Sequence, residues 1–426
     1  MAIAILFGVL LMLLVMGVPV GFALIAAALA TVLYLDLPAI VVVQQTAAGA
    51  GITSLLAIPL FIFAGEMMMR GGISDRLIAL AASLVGHLRG GLGQVNVLAS
   101  LFFGGVSGSA IADVSAIGGT MIPQMVNRGY DRDFAVNVSI SAALVALLVP
   151  PSHNLILFSA AAGGSISIAD LFAAGIAPAL LLTAVLMITG WMIARRRGYG
   201  TEAFPGLREV VRRFIAALPG LLLVALIFIG IRAGIFTAIE SASIAVIYAV
   251  LVTGVVYRHL TLGVFLETCI GAVRTTGLIL FIIGAAASFG WLLAYLEVPA
   301  AAVDFLTRIS ENKNVLLLLM VLLLLALGTF MDLAPLIIIC TPIFLPIAKA
   351  IGVDPVHFGV ILILTGGIGL ITPPVGSVLF VGTAIGKISV TETLRTIWPF
   401  YLATLAVLVI VTFVPIVSLW LPALLK

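Results

Sequence analysis

Long apolar stretches run the whole length of the chain, and short segments rich in glycine, proline or charge separate them. Runs such as 316–327 (LLLLMVLLLLAL) show no alternation between apolar and polar positions. A strand of a membrane barrel would alternate with a period of two residues. Because only helices and closed barrels satisfy their backbone hydrogen bonds inside lipid, the pattern predicts an all-α polytopic membrane protein.

The lengths of the apolar stretches predict ten membrane-spanning helices and two re-entrant helical hairpins. The spans are expected at 2–16, 19–35, 52–70, 131–162, 168–195, 213–231, 234–257, 276–296, 354–386 and 395–422. The hairpins are expected near 91–127 and 313–350. Each of the spans 131–162 and 354–386 contains a proline pair, so both are predicted to be broken helices.

Four shorter amphipathic stretches lie between the predicted spans, at 39–50, 75–88, 261–274 and 299–310. In the second of them, one helix face carries Leu77, Ile78, Leu80, Ala81 and Leu84. Such a face fits an arm helix that lies in the membrane interface. The pattern fits simple surface connectors equally well.

Composition excludes several classes of function. Of the 426 residues, 63% are hydrophobic and 9% are charged, whereas about 25% are charged in an ordinary soluble domain. This composition excludes a soluble enzyme.

The sequence has no GxxxxGK(S/T) loop, no HExxH motif and no GxSxG motif, so neither transport driven by ATP nor a familiar hydrolase is indicated. Cys269 and Cys340 have no cysteine or histidine neighbours that would form a metal site. A net charge of +3 without a basic cluster gives no support for a nucleic-acid partner.

The chain resembles itself at a distance of 223 residues, because 105–155 aligns with 328–378. Pro123 matches Pro346, Asp131 matches Asp354, and both proline pairs coincide. We therefore predict two copies of one unit, 1–200 and 201–426, each with five spans and one hairpin. An odd number of spans per copy implies an inverted repeat. Chance similarity between sequences rich in glycine and proline is the alternative.

Charge asymmetry gives the predicted topology a direction. With the N-terminus outside, only five of the 20 lysines and arginines fall on the outer side, namely Arg232, Arg308, Lys313, Lys349 and Lys426. Positive residues accumulate in cytoplasmic loops. Both termini are therefore expected to be periplasmic, with the first hairpin opening inward and the second outward.

The tip of the first predicted hairpin, 104–113 (GGVSGSAIAD), is small and polar at membrane depth. Non-helical backbone is tolerated there where it is buried or lines a cavity, and its oxygens suit a hard cation such as Na⁺. The candidate ligands are Ser107, Gly108, Ser109 and Asp113. Alternatively, the segment is a plain turn in which Asp113 caps the second half-helix.

The second tip and the two proline pairs complete the candidate set. Asp332 follows a break at 327–331 and precedes Pro335, so it fits an N-cap, a cation ligand, or both. Each tip is expected to meet the proline break that follows it, because a proline pair frees backbone carbonyls. Two equivalent cation sites are predicted, and the further candidate ligands are Pro150, Ser152, Gly328, Thr329, Met331, Asp332, Thr372, Pro373 and Gly376.

Between the two sites, half-helices beginning near Ala110, Ser152, Ala334 and Gly376 would direct positive ends toward the midplane, which suits an anionic substrate. His153 fits a proton relay or a backbone hydrogen bond, and Glu66 and Arg70 fit a local ion pair. The candidate substrate-binding residues are Ser109, Ala110, Ser152, His153, Asn154, Asp332, Val375, Gly376 and Ser377.

Several of these segments together resemble the large membrane subunit (M component) of tripartite ATP-independent periplasmic, or TRAP, transporters. The motifs that carry the resemblance are 58–66 (IPLFIFAGE), 105–113 (GVSGSAIAD), 122–123 (IP), 328–332 (GTFMD) with Pro335, and 372–376 (TPPVG). The resemblance covers the whole chain.

This resemblance implies a Na⁺-driven elevator-type importer in the bacterial inner membrane, with two or more Na⁺ sites. Its substrate would be an organic acid such as a C4-dicarboxylate, sialic acid or another sugar acid. Its partners would be a small four-helix membrane subunit and a periplasmic substrate-binding protein. The alternative is a stand-alone Na⁺- or H⁺-coupled carboxylate or anion transporter of the same broad fold.

Overall fold

The computed structural model describes residues 1–298, 300–301 and 312–425. Every regular element within these ranges is helical. The α-helices are Ala2–Val15, Val20–Tyr34, Ile40–Ala50, Ala57–Arg70, Ile73–Val85, Gly91–Ser107, Ala110–Asp113, Gly119–Asn127, Arg132–Ala142, His153–Ala161, Ile168–Arg196, Leu207–Arg232, Ala238–Leu251, Leu262–Tyr295, Lys313–Gly328, Leu333–Ala350, Pro355–Leu370, Ser377–Gly386, Val390–Thr396, Trp398–Phe413 and Ile416–Leu424. Short 3₁₀ or π segments, at Thr53–Leu56, Val114–Gly118, Ala143–Leu147 and Val252–Val256, adjoin these helices.

Several of these helices are long and apolar enough to cross a membrane. Five described helices satisfy this by length and composition, and two bent helix pairs bring the number to seven if each pair is one span. One of these pairs, Trp398–Phe413 with Ile416–Leu424, bends by 58°. The predicted all-α polytopic class is confirmed.

The predicted separation of an arm at 261–274 from a span at 276–296 is wrong. A single 34-residue helix, Leu262–Tyr295, runs through both. In the first half, Gly51 ends the corresponding arm and a 3₁₀ turn separates it from Ala57–Arg70. No proline or left-handed glycine interrupts 262–295, so nothing stops the helix there. All but two residues of the predicted arm at 299–310 lie outside the described residues.

The stretch predicted as the arm 75–88 forms the helix Ile73–Val85. Its predicted apolar face is turned inward, since Leu77, Ile78, Leu80 and Ala81 are buried. The helix packs against Gly91–Ser107 and Leu207–Arg232. It therefore supports the base of the first hairpin.

Two hairpins and two broken helices occupy the centre of the fold. The first hairpin consists of Gly91–Ser107 and the return segment 110–127, and the second consists of Lys313–Gly328 and Leu333–Ala350. The first broken helix, 132–147, stops before its proline pair and restarts at His153. The second, Pro355–Leu370, restarts at Ser377. Each hairpin packs on the broken helix that follows it in sequence.

Candidate transport site

At the first junction, the tip of the first hairpin touches the break of the first broken helix. Gly108 ends the outgoing helix with φ of +60°, a left-handed conformation that glycine adopts without strain. A Cβ atom there would lie 3.0 Å from the Pro151 carbonyl oxygen and 3.1 Å from the Ser152 Cα. Asn154 Nδ2 donates a hydrogen bond to the Gly108 carbonyl oxygen at 3.0 Å. Tip and break are therefore in direct contact, as predicted.

The first junction gathers several oxygen atoms. Ser109 caps the return helix, because its hydroxyl accepts from the backbone N–H of Ala112. The Ser107 hydroxyl lies 3.4 Å from the Ser109 nitrogen, and the buried Ser152 hydroxyl donates to the Leu147 carbonyl at 2.7 Å. The structure thus brings together five of the predicted cation ligands, namely Ser107, Gly108, Ser109, Pro150 and Ser152.

Asp113 lies elsewhere. Its carboxylate is buried between the two helices of the first hairpin, where Oδ2 accepts from the Ser100 hydroxyl at 2.7 Å. The other oxygen, Oδ1, has no hydrogen-bond partner among the described residues. Because Ser109 is the N-cap of the return helix, the interpretation of Asp113 as its cap is wrong. The structure does not bring Asp113 into the contact between tip and break.

At the second junction, polar contacts join the tip to the break. The backbone N–H of Val375 donates to the Thr329 carbonyl at 3.1 Å. Asp332 caps Leu333–Ala350, as predicted, and its Oδ1 accepts from the Leu333 N–H at 3.0 Å. The Ser377 hydroxyl donates to the same oxygen at 3.3 Å. Asp332 therefore links both sides of this junction.

Glycines allow the backbones to approach at the second junction. A Cβ atom on Gly369 would overlap the backbone of Gly328, and Gly376 has φ of +39° with the Thr372 carbonyl 3.0 Å from its Cβ position. The Thr372 hydroxyl donates back to Ile368 in the preceding turn. Of the other predicted ligands, Met331 has a buried side chain and Pro373 is half-buried in the turn.

A cavity of about 530 Å³ lies between the two tips. Five of the nine predicted substrate-binding residues line it, and they are Ser109, Ala110, His153, Asn154 and Asp332. The other four, Ser152, Val375, Gly376 and Ser377, do not line it. One space therefore connects both hairpin tips and the first proline break.

The comparisons with known proteins bear on this arrangement. The family model described as tripartite ATP-independent periplasmic transporter, DctM component, matches residues 7–417. The chain belongs to the DctM family. A large permease protein of a sialic acid TRAP transporter from Vibrio cholerae is 39% identical over 409 residues, which cover 96% of this chain and 95% of the relative.

A second DctM-family relative, the large permease protein of a C4-dicarboxylate TRAP transporter from Rhodobacter capsulatus, is 35% identical over 438 residues and the full length of both chains. Among solved structures, the YdaH transporter of Alcanivorax borkumensis matches with a TM-score of 0.65 and 16% identity, over 87% of this chain and 86% of that one. This likeness shows a shared fold.

In this DctM-family chain, sequence reasoning missed one wall of the cavity. Glu66 and Met69 from Ala57–Arg70 and Thr275 from Leu262–Tyr295 line it. The predicted pair of Glu66 with Arg70 is present at 3.4 Å, but Arg70 also donates to Glu267 at 2.7 Å. The signal in the sequence was the position of Glu66, a carboxylate one turn before the end of an apolar span, since such residues often line functional sites.

The charges on the cavity wall are unbalanced. Of the described residues that line it, Glu66 and Asp332 are acidic, and none is a lysine or an arginine. Glu66 is paired with Arg70 at 3.4 Å, so among the described residues Asp332 is the carboxylate that an anion between the tips would meet without a cationic partner. The negative charge on the wall must therefore be offset by backbone N–H groups at helix N-termini or by a bound cation.

Proposed function

We propose that this chain is the membrane carrier of a Na⁺-coupled TRAP system that imports an organic acid. The observation that carries the proposal is the meeting of the two hairpin tips around one cavity, with each tip in contact with its own proline break. Broken helices that meet near the midplane are the usual construction of ion and substrate sites in secondary transporters.

The residues at both junctions fit a hard cation, which prefers oxygen ligands. At the first junction, Ser107, Ser109 and Ser152 offer hydroxyl oxygens, and Gly108 and Pro150 offer carbonyls. At the second junction, Thr329, Thr372, Pro373 and Gly376 offer neutral oxygens and Asp332 offers a carboxylate. We propose one Na⁺ at each junction, with the ion travelling as a co-substrate.

The charge imbalance of the cavity gives this proposal a coupling mechanism. Without bound Na⁺, the carboxylate of Asp332 would repel an organic acid, whereas Glu66 is paired with Arg70. A cation beside Asp332 cancels this charge, and the N-termini of the helices that start at Ala110 and Leu333 supply positive potential. Substrate binding then depends on prior Na⁺ binding, which is the requirement for symport.

The moving parts follow from the same contacts. We propose that the two hairpins and the two broken helices form a transport body that moves as an elevator against the remaining helices. Because most lysines and arginines fall in the loops on one side and such residues accumulate in the cytoplasm, we place both termini on the periplasmic side of the bacterial inner membrane. The inverted repeat of 1–200 and 201–426 accounts for the opposite openings of the hairpins.

The partners and the substrate class come from the relatives. The family is tripartite, so we propose a small four-helix membrane subunit and a periplasmic substrate-binding protein as partners. The names of two relatives give their substrates as sialic acid and C4-dicarboxylates. We propose that this chain carries an organic acid of the same kind.

Uptake of labelled organic acids into proteoliposomes tests the proposal. The liposomes contain the chain and the small subunit, with and without an inward Na⁺ gradient and the candidate binding protein. Uptake that requires both is the expected result. Uptake with Na⁺ or H⁺ but without the binding protein would replace the tripartite assignment with a stand-alone carrier, and uptake indifferent to Na⁺ would contradict the coupling.

A further inference from the structure

A second cavity, separate from the transport site, has a volume of about 480 Å³. It lies where the first broken helix begins and where the chain turns after the second broken helix. The Arg132 guanidinium donates to the Gly386 carbonyl at 3.1 Å, and Asn137 Nδ2 donates to the Thr396 hydroxyl at 2.8 Å. These bonds hold the two segments together. We call this cavity the Lys387 pocket, and its charged lining residues are Asp131, Arg132, Asp133, Lys387, Glu392 and Arg395.

The carboxylates of the Lys387 pocket are already engaged. Asp133 takes two hydrogen bonds from Arg197, at 2.8 and 2.6 Å. Asp131 accepts from Arg197 at 2.9 Å and from the Tyr199 hydroxyl at 2.7 Å. Glu392 completes a capping box with Ser389, whose backbone N–H and hydroxyl both donate to it. No oxygen of these acids lies within 4.0 Å of Arg132, Lys387 or Arg395, and Glu392 is close enough to Arg395 to feel its charge.

The cations of the pocket are free of such pairing. Arg132, Lys387 and Arg395 are exposed, and none of them has a carboxylate oxygen within 4.0 Å among the described residues. Lys387 and Arg395 also donate no side-chain hydrogen bond within the described ranges. Three basic side chains with unused donors therefore face one concave surface, which is the arrangement that a phosphate group prefers.

The backbone at Lys387 adds a second, independent observation. Its φ is +51°, in the left-handed region that glycine favours and that strains other residues. The residue ends Ser377–Gly386, where glycine is the usual choice. Asp36, Arg258 and Glu297 share this region of φ, and at Lys387 the conformation places the side chain at the pocket.

An exposed tryptophan beside the pocket bears on the source of a phosphate. Trp398 lies two residues after Thr396, the last residue that lines the pocket, and its side chain is 62% exposed. Exposed tryptophans concentrate at the level of the lipid headgroups. Basic pockets between helices at that level bind the headgroups of anionic lipids.

We propose that Arg132, Lys387 and Arg395 form a binding site for a phosphate group, and that an anionic phospholipid of the adjoining leaflet supplies it. The bound headgroup joins the start of the first broken helix to the end of the second. It therefore stabilises the contact between the two halves of the chain at this end of the bundle.

The test is thermal stability of the full chain, purified in detergent with its small subunit, during titration with dioctanoyl phosphatidylglycerol. A basic residue near a headgroup contributes about 1 kcal/mol, so the loss of one weakens the apparent affinity about fivefold and the loss of two about thirtyfold. The variants are Lys387→Gly and the double variant Lys387→Gly with Arg395→Gln. Arg208→Gln is the matched control, because Arg208 is exposed and has no ion pair within the described residues.

Lys387→Gly also separates binding from folding. Glycine relieves the strain at φ of +51°, so without lipid this variant is expected to melt no lower than the wild type while it loses lipid affinity. Unchanged lipid affinity in the double variant would overturn the proposal. An equal response to dioctanoylglycerol, which has no phosphate, would also overturn it.

Glycerol phosphate distinguishes the two sources of phosphate. No rise in Tm at millimolar glycerol phosphate, with a clear rise for phosphatidylglycerol, supports the lipid. An equal response to both would overturn the lipid assignment and identify a soluble phosphate ester as the ligand of the same three side chains.

Discussion

The two junctions of tip and break follow one sequence plan but differ in burial. At the first junction, Pro150, Pro151 and Ser152 are buried, and Asn154 is 2% exposed. At the second junction, Phe330 is 64% exposed and Val375 is 44% exposed. Both junctions contain a close backbone contact, Gly108 with Pro151 and Gly328 with Gly369. They differ in exposure, because the break of the first junction is buried whereas Phe330, Asp332 and Val375 of the second are exposed.

This difference shows how an internal repeat can supply two sites with different tasks. A packed junction opens only at the cost of its buried surface and its buried hydrogen bond. An exposed junction opens at the cost of weak polar contacts that water replaces. The exposed part of the second junction, at Phe330, Asp332 and Val375, therefore opens at lower cost than the buried first junction, and substitutions in the two junctions should differ accordingly.

The largest expected effect is on stability at Gly108. Gly108→Ala forces a side chain into a left-handed conformation, which costs about 1 to 2 kcal/mol, and crowds the Pro151 carbonyl, which adds roughly 1 to 3 kcal/mol. We expect a clear drop in Tm of the purified complex. Gly119→Ala is the control, because no atom lies within 4 Å of its Cβ position. Equal melting of the two variants would show that the first junction is loosely packed.

The next effect concerns the buried hydrogen bond of the first junction. Asn154→Ala leaves the Gly108 carbonyl without its donor in a buried position, at a cost of about 1 to 3 kcal/mol. The measurement is Tm together with the amount of folded protein in the membrane. A change within experimental error would mean that this junction is not held by burial.

The third prediction separates charge from capping at Asp332. Asn is as good an N-cap as Asp, so Asp332→Asn should keep Leu333–Ala350 intact while it removes the negative charge. We expect the Na⁺ concentration for half-maximal uptake to rise about tenfold or more, equivalent to about 1.4 kcal/mol, with little change in Tm. A large decrease in Tm without a change in Na⁺ dependence would show that Asp332 only caps the helix and does not bind Na⁺.

The smallest effect is expected at Ser377. Its hydrogen bond to Asp332 is long and exposed, so Ser377→Ala should lower stability by no more than about 0.5 kcal/mol. When Ser377→Ala and Asn154→Ala are compared in the same Tm assay, the difference between their stability losses measures how differently the two junctions are held. A loss as large as that of Asn154→Ala would remove the distinction.

Much of this architecture could be predicted from the sequence, because breakers and apolar lengths act locally. Gly108 and the proline pairs at 150–151 and 373–374 specify where helices stop, and the starts at Ala110, His153 and Ser377 follow from them. Asp332 could be recognised as a cap because its position before Pro335 is a local signal.

The remainder depends on packing between distant segments. Asp113 bonds to Ser100 across the hairpin, and Glu66 reaches the cavity because Leu262–Tyr295 lies beside its helix. Neither the crossing of two helices nor the side on which a carboxylate ends is encoded in local spacing. The exposure of the second junction relative to the first is likewise a property of the assembled bundle.

The central claim is that each junction holds one Na⁺, and equilibrium binding of ²²Na⁺ to the purified complex tests it most directly. At a Na⁺ concentration that just saturates the wild type, we expect two bound Na⁺ per chain in the wild type and fewer than two in both Asp332→Asn and Ser109→Ala, each with folded protein at the wild-type level. The same number of bound ions in Asp332→Asn as in the wild type, or no bound Na⁺ in the wild type, would contradict it.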